Sequence, residues 1–321
     1  MLPDHPVIAV VGAGAVGAYY GGRLAQHGHD VHFLLRSDYD AVARRGWSIR
    51  SCDGDFVLPP GRTRVYRDAS TMPKVDLVMV TLKATANDQY EPLIRPLLKE
   101  STAILTLQNG LGNEDRLAGL FGAERILGGL AFVCINRVEP GVVHHMDHGL
   151  IRVGEFQETV TDRLRQIVAI FQQNGIHCEP VVSLRYARWE KLVWNVPFNG
   201  LGAACDLTTD QLIGTKEGEQ LVRAIMGEVV AAARAVGANL PDDIINQKIK
   251  ATTTMGGYRS SMQVDRQERR AMEVEAILGE PVRAARSAGV AVPKLEMLYR
   301  LVWLVDRANA KPTDNPPVSR A

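Results

Sequence analysis

The sequence predicts an α/β N-terminal domain followed by an all-helical C-terminal domain. Three observations predict it. A glycine run, Gly12-Ala13-Gly14-Ala15-Val16-Gly17, follows an apolar β-branched stretch and opens a helical pattern. Strand and helix patterns then alternate as far as residue 182. From Ser183 onward, helical periodicity replaces strands altogether. A chain of 321 residues exceeds what one hydrophobic core usually holds, so two domains are expected, 1–182 and 183–321.

Val7 to Gly12 reads as a buried strand stopped by glycine, and Val16 to Gly28 as a helix with Gly28 near its C-cap. Val31 to Leu35, Val75 to Leu82 and Ala103 to Gln108 read as further strands, with a helix over Tyr90 to Lys99 between the last two. This succession of βαβ units gives a parallel, Rossmann-type sheet. Ala131 to Val138 and Val142 to His145, joined by Glu139-Pro140-Gly141, read as a hairpin. Asp162 to Asn174 is expected to be a helix capped by Gly175, and Ile176 to Val182 a final edge strand. In the second half, helices are expected over Tyr186–Trp194, Glu217–Val236, Asp242–Thr253, Gln267–Leu278 and Lys294–Arg307. Residues 310–321 are polar and proline-containing, and read as a frayed tail.

Lys plus Arg number 37 and Asp plus Glu 36, a balance that leaves no electrostatic footprint for nucleic acid or an anionic membrane. Apolar residues make up 46%, ordinary for a globular protein. The apolar run Val7 to Tyr20 lacks the basic flank of a signal peptide, and no later stretch is long and apolar enough for a transmembrane helix. Cys52, Cys134, Cys178 and Cys205 form neither a CxxC pair nor a disulfide framework, so a reducing, cytoplasmic location is expected.

The glycine run is a GxGxxG in the context that the motif needs. Gly12 allows the tight turn, Gly14 lets backbone amides approach a pyrophosphate, and Gly17 permits close helix–strand packing. The anion then lies at a helix N-terminus, where free N–H groups and the helix dipole favour it. At the end of the second strand, where NAD sites carry an acid for the ribose, this chain has Arg36, suited to a 2′-phosphate. The expected cofactor is therefore NADP(H). Lys83 and Asn109 follow the carboxyl ends of two strands, where ligands of open α/β sheets bind; either is otherwise an ordinary loop residue.

Reduction of a carbonyl by hydride needs a proton donor and groups that hold the substrate. Lys191 and Asn195 are four residues apart in a helical pattern and share a face. A lysine ammonium stabilises a developing alkoxide and donates a proton; beside Trp189 and Trp194 the same lysine also reads as a snorkelling surface residue. Asn199 continues the face only if the helix survives Pro197, which is expected to kink it. Glu273 and Glu275 point to different faces, and the pattern alone does not choose between them. Ser260 and Ser261 follow a Gly256-Gly257 loop and are carboxylate-binding candidates. His144, His145 and His148 do not read as a metal site, because successive strand residues face opposite sides and no fourth ligand has suitable spacing. No metal is expected.

Six stretches in order resemble one family, the ketopantoate reductases (2-dehydropantoate 2-reductases). They are the glycine run, Thr81-Leu82-Lys83-Ala84, Gln108-Asn109-Gly110-Leu111-Gly112, Trp189-Glu190-Lys191-Leu192 with Asn195, Ser260-Ser261-Met262 with Asp265, and Met272-Glu273-Val274-Glu275. The resemblance, from Val7 to about Val292, implies NADPH-dependent reduction of ketopantoate to pantoate in pantothenate biosynthesis. It implies Lys191 as the catalytic lysine and Glu273, rather than Glu275, as the catalytic-site glutamate. It further implies Lys83 and Asn109 around the nicotinamide and substrate, and Asn195, Asn199 and Ser261 as substrate contacts. A cleft that closes over the ligands and a possible homodimer are also implied. Thr209 and Tyr258 stand where the family pattern has asparagines, which leaves open a different branched or bulkier 2-oxo acid as substrate. A non-catalytic NADP-binding redox sensor is the reading from another class, since the nucleotide fold binds cofactor whatever the chemistry.

Overall fold

The computed structural model describes residues 2–309; the expected frayed tail, 310–321, lies outside the described residues. The chain divides into two compact units between Ala187 and Arg188. In the first unit, β1 (Ile8–Val11), α1 (Ala15–Gln26) and β2 (Val31–Leu34) open the fold, followed by α2 (Tyr39–Arg45), β3 (Trp47–Ser51), β4 (Phe56–Leu58) and β5 (Arg64–Tyr66). Then come β6 (Val75–Val80), α3 (Tyr90–Ile94), β7 (Leu98–Thr106), α4 (Asn113–Phe121), the hairpin β8 (Ile126–Glu139) and β9 (Val142–Glu155), α5 (Asp162–Gln173) and β10 (Cys178–Pro180).

These strands form one sheet in the order β4-β3-β9-β8-β7-β6-β1-β2-β5, with β10 on β9. Only β3–β4 and β8–β9 pair antiparallel. The central strands are apolar on both faces because both faces are covered. Ile8 and Val10 of β1 join Tyr20, Leu24, Leu105, Ile167 and Phe171 on one side. Ala9 and Val11 join Tyr90, Ile94, Ile104 and Leu117 on the other. The period-two alternation of a strand places neighbours in β1 in two different cores.

Three short strands, β3, β4 and β5, fall where no element is expected from the sequence. The hairpin is also longer than Ala131–Val138 and Val142–His145. Gly141 takes φ +82° at its turn, a left-handed value that a side chain would strain.

The second unit is helical. α6 (Leu184–Cys205) begins just before the division, and α7 (Thr209–Ile213), α8 (Lys216–Ala235), α9 (Ile244–Thr252), α10 (Ser261–Gln267), α11 (Glu280–Ser287) and α12 (Pro293–Asn309) follow. α8 is central and packs on α7, α9, α11 and α12. α6 runs unbroken through Pro197 as a single 22-residue helix, so the interruption considered at that proline does not occur. The helix expected over Gln267–Leu278 is instead two pieces. α10 ends at Gln267, and helical structure resumes at Val274 as a π-helical turn, Glu275–Gly279. Arg269 adopts φ +52°, and the Arg270 amide closes back on the Asp265 carbonyl at 2.8 Å, which ends the first piece. Among the described residues no helix is long and apolar enough to cross a membrane.

Candidate active site

The first unit gathers four of the expected site segments at the carboxyl ends of adjacent parallel strands: Gly12 after β1, Arg36 after β2, Lys83 after β6 and Asn109 after β7. The glycines behave differently from one another. Gly12 turns the chain at φ +87°, and a Cβ there would lie 2.7 Å from the Leu82 backbone nitrogen. A Cβ on Gly17 would lie 2.3 Å from Thr81 Oγ1 and 2.8 Å from Val10, so α1 lies tightly on the sheet only without one. Gly14 is the opposite case. It is exposed, and a Cβ there would meet only its own loop, the Gly12 carbonyl at 3.9 Å. That open face, at an N-cap with no side-chain hydrogen bond and no acid in the first turn, is a cradle for an anion on the helix N-terminus. The residues therefore fit a dinucleotide pyrophosphate.

Arg36 is exposed just beyond β2. The neighbouring acid, Asp38, is buried and occupied. Arg137 Nη1 donates to Asp38 Oδ1 at 2.5 Å, the Ser37 hydroxyl donates to the same oxygen at 2.8 Å, and the Gly141 amide lies 3.4 Å from Oδ2. Asp38 thus ties the β8–β9 hairpin to the segment after β2 and is not presented to a ribose. The group next to that position is a guanidinium, which fits a 2′-phosphate.

Lys83 is exposed at the start of the single-turn helices Ala84–Gln89, and Asn109 is half-buried. A chain of side chains connects their two segments. Tyr90 Oη and Thr106 Oγ1 donate to Gln108 Oε1 at 2.5 and 2.8 Å. Gln108 Nε2 donates to Asn87 Oδ1, and Asn87 Nδ2 to Asn113 Oδ1, each at 2.8 Å. Asn113 Nδ2 then donates to the Asn109 carbonyl at 2.9 Å. Gln108 and Asn113 are buried, so each bond satisfies an amide that would otherwise be costly.

In the second unit, α6 carries Lys191, Asn195 and Asn199 at successive turns of one face. Asn195 and Asn199 are buried, and Lys191 is half-buried. Burial is the main force on the Lys191 ammonium and lowers its pKa to about 7; Arg188 lowers it too, and the Glu273 carboxylate works the other way. Glu273 is itself buried. Glu275 faces outward, accepting from the Tyr299 hydroxyl at 2.8 Å and pairing with Arg283 at 2.9 Å. The structure therefore separates two glutamates that the helical pattern left open. Asn199 Oδ1 accepts from the Ser261 hydroxyl and from the Met262 amide, both at 3.1 Å, which fixes the start of α10 against α6. Ser260 is buried as the N-cap of α10, accepting from the Gln263 amide.

The two positions that depart from the family pattern have different roles. Thr209 is buried, and its hydroxyl donates to the Gly256 carbonyl at 2.7 Å and accepts from the Tyr258 amide at 3.2 Å. Its own amide donates to the Tyr258 carbonyl at 3.0 Å. Thr209 fastens the Gly256–Tyr258 loop. The Tyr258 ring is half-exposed, 6.3 Å from Trp194, which stacks on Phe198 at 4.8 Å.

Sequence reasoning missed Arg188, although its place three residues before Lys191 puts it on the same face. It also missed Asn87, Asn113 and Asp306, which accepts the Met272 amide at 2.9 Å; these partners are distant in sequence and leave no local signal.

The chain matches two family profiles, Ketopantoate reductase PanE/ApbA over residues 8–158 and Ketopantoate reductase PanE/ApbA C terminal over residues 183–305. It is 42% identical to a 2-dehydropantoate 2-reductase of Nostoc sp., covering 94% of this chain and 95% of that one. Among solved structures, a 2-dehydropantoate 2-reductase from Geobacter metallireducens superposes with a TM-score of 0.90 at 48% identity, over 92% of this chain and 99% of the other. One from Methylococcus capsulatus gives 0.86 at 36% identity, over 95% and 98%.

Proposed function

Because this chain belongs to the ketopantoate reductase family, we propose that it reduces 2-dehydropantoate to pantoate, a step of pantothenate biosynthesis, and that NADPH is its reductant. The chain is an oxidoreductase of the 2-dehydropantoate 2-reductase type. The observation that carries the mechanism is Lys191, an ammonium whose pKa of about 7 matches the pH at which it must give up a proton.

When bound, NADPH would supply the hydride. Gly12 to Gly17 would hold its pyrophosphate on the α1 N-terminus, Arg36 would take the 2′-phosphate, and Lys83 and Asn109 would lie toward the nicotinamide and substrate. Lys191 donates a proton to the oxygen of the 2-oxo group as that oxygen gains charge. Glu273 keeps enough of the lysine protonated, against burial and Arg188, for the donation to occur near neutrality. Asn195, Asn199 and Ser261 present amide and hydroxyl groups for the substrate's carboxylate and hydroxyl.

Tyr258 supports a second reading, a bulkier or differently branched 2-oxo acid, because its aromatic ring stands where the family pattern has an amide. Thr209 does not support it, since its hydroxyl is committed to the loop. NADPH oxidation with 2-dehydropantoate beside 2-oxoisovalerate and pyruvate decides. A kcat/KM for 2-dehydropantoate that is orders of magnitude above the others is expected; a better substrate in the panel would make Tyr258 the specificity determinant.

We also propose a homodimer and a reducing, cytoplasmic location. Met297, Leu301 and Leu304 are exposed at one-turn spacing along α12, at 65%, 48% and 60%, a stripe that a second copy would bury. Light scattering should give twice the chain mass, and Leu301→Asp with Leu304→Asp should halve it. None of the four cysteines is joined in a disulfide, which supports the location.

A further inference from the structure

The end of β3 and the bulged middle of β9 bring together three side chains that the reaction does not use: Cys52, Asp53 and His145. Cys52 and Asp53 are exposed, while His145 is completely buried. The strands pair so that Ser51 lies opposite His145, and the Cys52 amide donates to the His145 carbonyl at 3.1 Å. From His145 Nδ1 the Cys52 sulfur is 3.7 Å away and Asp53 Oδ2 3.8 Å; Cys52 Sγ and Asp53 Oδ1 are 3.9 Å apart.

Those separations can be compared with a coordination sphere. A tetrahedral zinc ion with ordinary metal–ligand bond lengths sets its S, N and O ligands roughly 3.3–3.6 Å apart. Asp53 approaches the histidine through Oδ2 and the cysteine through Oδ1; with one ligand atom taken from each residue the three lie within 4.8 Å of one another, so the exposed Cys52 and Asp53 side chains must close by up to about 1.5 Å.

The imidazole is also in the tautomer that a metal requires. His145 Nε2 lies 3.1 Å from two backbone carbonyls, those of Asp147 and His148. Carbonyls only accept, so Nε2 carries the proton and Nδ1 keeps its lone pair; the Cys52 sulfur, 3.7 Å from Nδ1 and 4.0 Å from Nε2, lies beside the ring, and the exposed thiol must rotate to meet a metal held on that lone pair. A ring N–H held by carbonyl groups while the other nitrogen keeps its lone pair is the supporting arrangement of metal-bound histidines. β9 is shaped to provide it. Its register skips at Met146 and Gly149, and His148 takes φ +65°, so both carbonyls turn onto the ring. The Ser51 hydroxyl, 2.9 Å from Nδ1, donates there when no ion is present. Its oxygen lies within 3.1 Å of the Asp53 amide and 3.3 Å of Arg23. Tyr19 Oη donates to Asp53 Oδ2 at 3.1 Å and orients the carboxylate.

We infer that Cys52, Asp53 and His145 form a site for one divalent, thiolate-tolerant cation, zinc first. Binding replaces the Cys52 S–H bond with a metal–sulfur bond and releases the proton to solvent. Solvent fills the fourth position, which the exposure of Cys52 and Asp53 permits. The metal would act as a clip between β3 and β9 beneath α1. The argument against a three-histidine site still applies to exposed His144, which points away from His145. The missing ligands came from the neighbouring strand, not from the histidine run.

The test uses the full chain without a histidine tag, stripped with chelator and titrated with zinc chloride and, separately, cobalt chloride. One equivalent of zinc should bind, and cobalt should give a thiolate charge-transfer band. Cys52→Ser and Asp53→Asn, both at exposed positions, should each weaken zinc binding by at least about tenfold, and Cys52→Ser should abolish the band. His144→Ala should change neither. Absence of stoichiometric binding, binding unchanged in Cys52→Ser, or loss of binding in His144→Ala would overturn the assignment.

Discussion

The pH dependence of reduction follows from Lys191. Its pKa of about 7 means that the ammonium is about half populated at pH 7, about a tenth at pH 8 and about a hundredth at pH 9, by simple titration. If Lys191 is the proton donor, kcat/KM for the oxo acid should fall about tenfold per pH unit above pH 7, because this parameter reports the enzyme before substrate binds. A lysine with its ordinary pKa would give a flat profile over the same range. Arg188 adds a second, signed test. Removing its positive charge favours the protonated lysine, so Arg188→Gln should move the midpoint to higher pH. The assay is NADPH oxidation at fixed ionic strength from pH 6 to pH 9. Stability gives an independent readout. A lysine pKa lowered in the folded state favours unfolding while the group is charged. Stability should therefore rise as pH increases from about 7 toward the unfolded-state value of about 10.5, and be lost again as pH falls through 7. Lys191→Met should accordingly raise Tm at pH 7 while lowering kcat by roughly 10² to 10⁴. A flat rate profile to pH 9, or an Arg188→Gln midpoint shifted to lower pH, would refute this reasoning.

Glu273→Gln removes the charge that supports the Lys191 ammonium, so its midpoint should move to lower pH and activity at pH 7.5 should drop; an unchanged profile would place Glu273 outside the lysine's field. Arg36→Ala should raise KM for NADPH and leave that for NADH nearly unchanged, and an equal loss for both cofactors would mean that Arg36 does not read the 2′-phosphate. Thr209→Val breaks two hydrogen bonds to the Gly256–Tyr258 loop and should cost about 1–3 kcal/mol of stability, seen as a lower Tm, with KM for the oxo acid raised more than kcat is lowered.

Much of the fold was legible because its signals are local. The glycine run, the β-branched central strands and the long amphipathic helices announce themselves within windows of a few residues. The short strands β3, β4 and β5 were not read, although the β3 segment from Trp47 to Arg50 alternates and Asp53-Gly54 marks a turn. Three-residue strands such as Phe56–Leu58 carry too little periodicity to separate them from loop. The break after Gln267 depended on Arg269 taking a left-handed conformation, which no glycine or proline signals. The candidate site divides in the same way. Lys191, Asn195 and Asn199 were placed on one face by helical spacing, and α6 carries that face through Pro197. The choice of Glu273 came from family resemblance; in the structure Glu273 is buried, and Glu275 turns outward to pair with Arg283. The Asn87–Gln108–Asn113 relay, the loop tie at Thr209 and the Cys52–His145 approach join residues far apart in sequence, and the linear pattern does not show which strands will be neighbours.

The most direct test of the central claim is product formation by the wild type and by Lys191→Ala, with 2-dehydropantoate and NADPH, following pantoate and NADPH together. The account predicts one pantoate formed per NADPH consumed, and a loss of roughly 10² to 10⁴ in kcat for a correctly folded Lys191→Ala. Turnover within a few-fold of wild type in that variant, or NADPH consumption without pantoate, would contradict it.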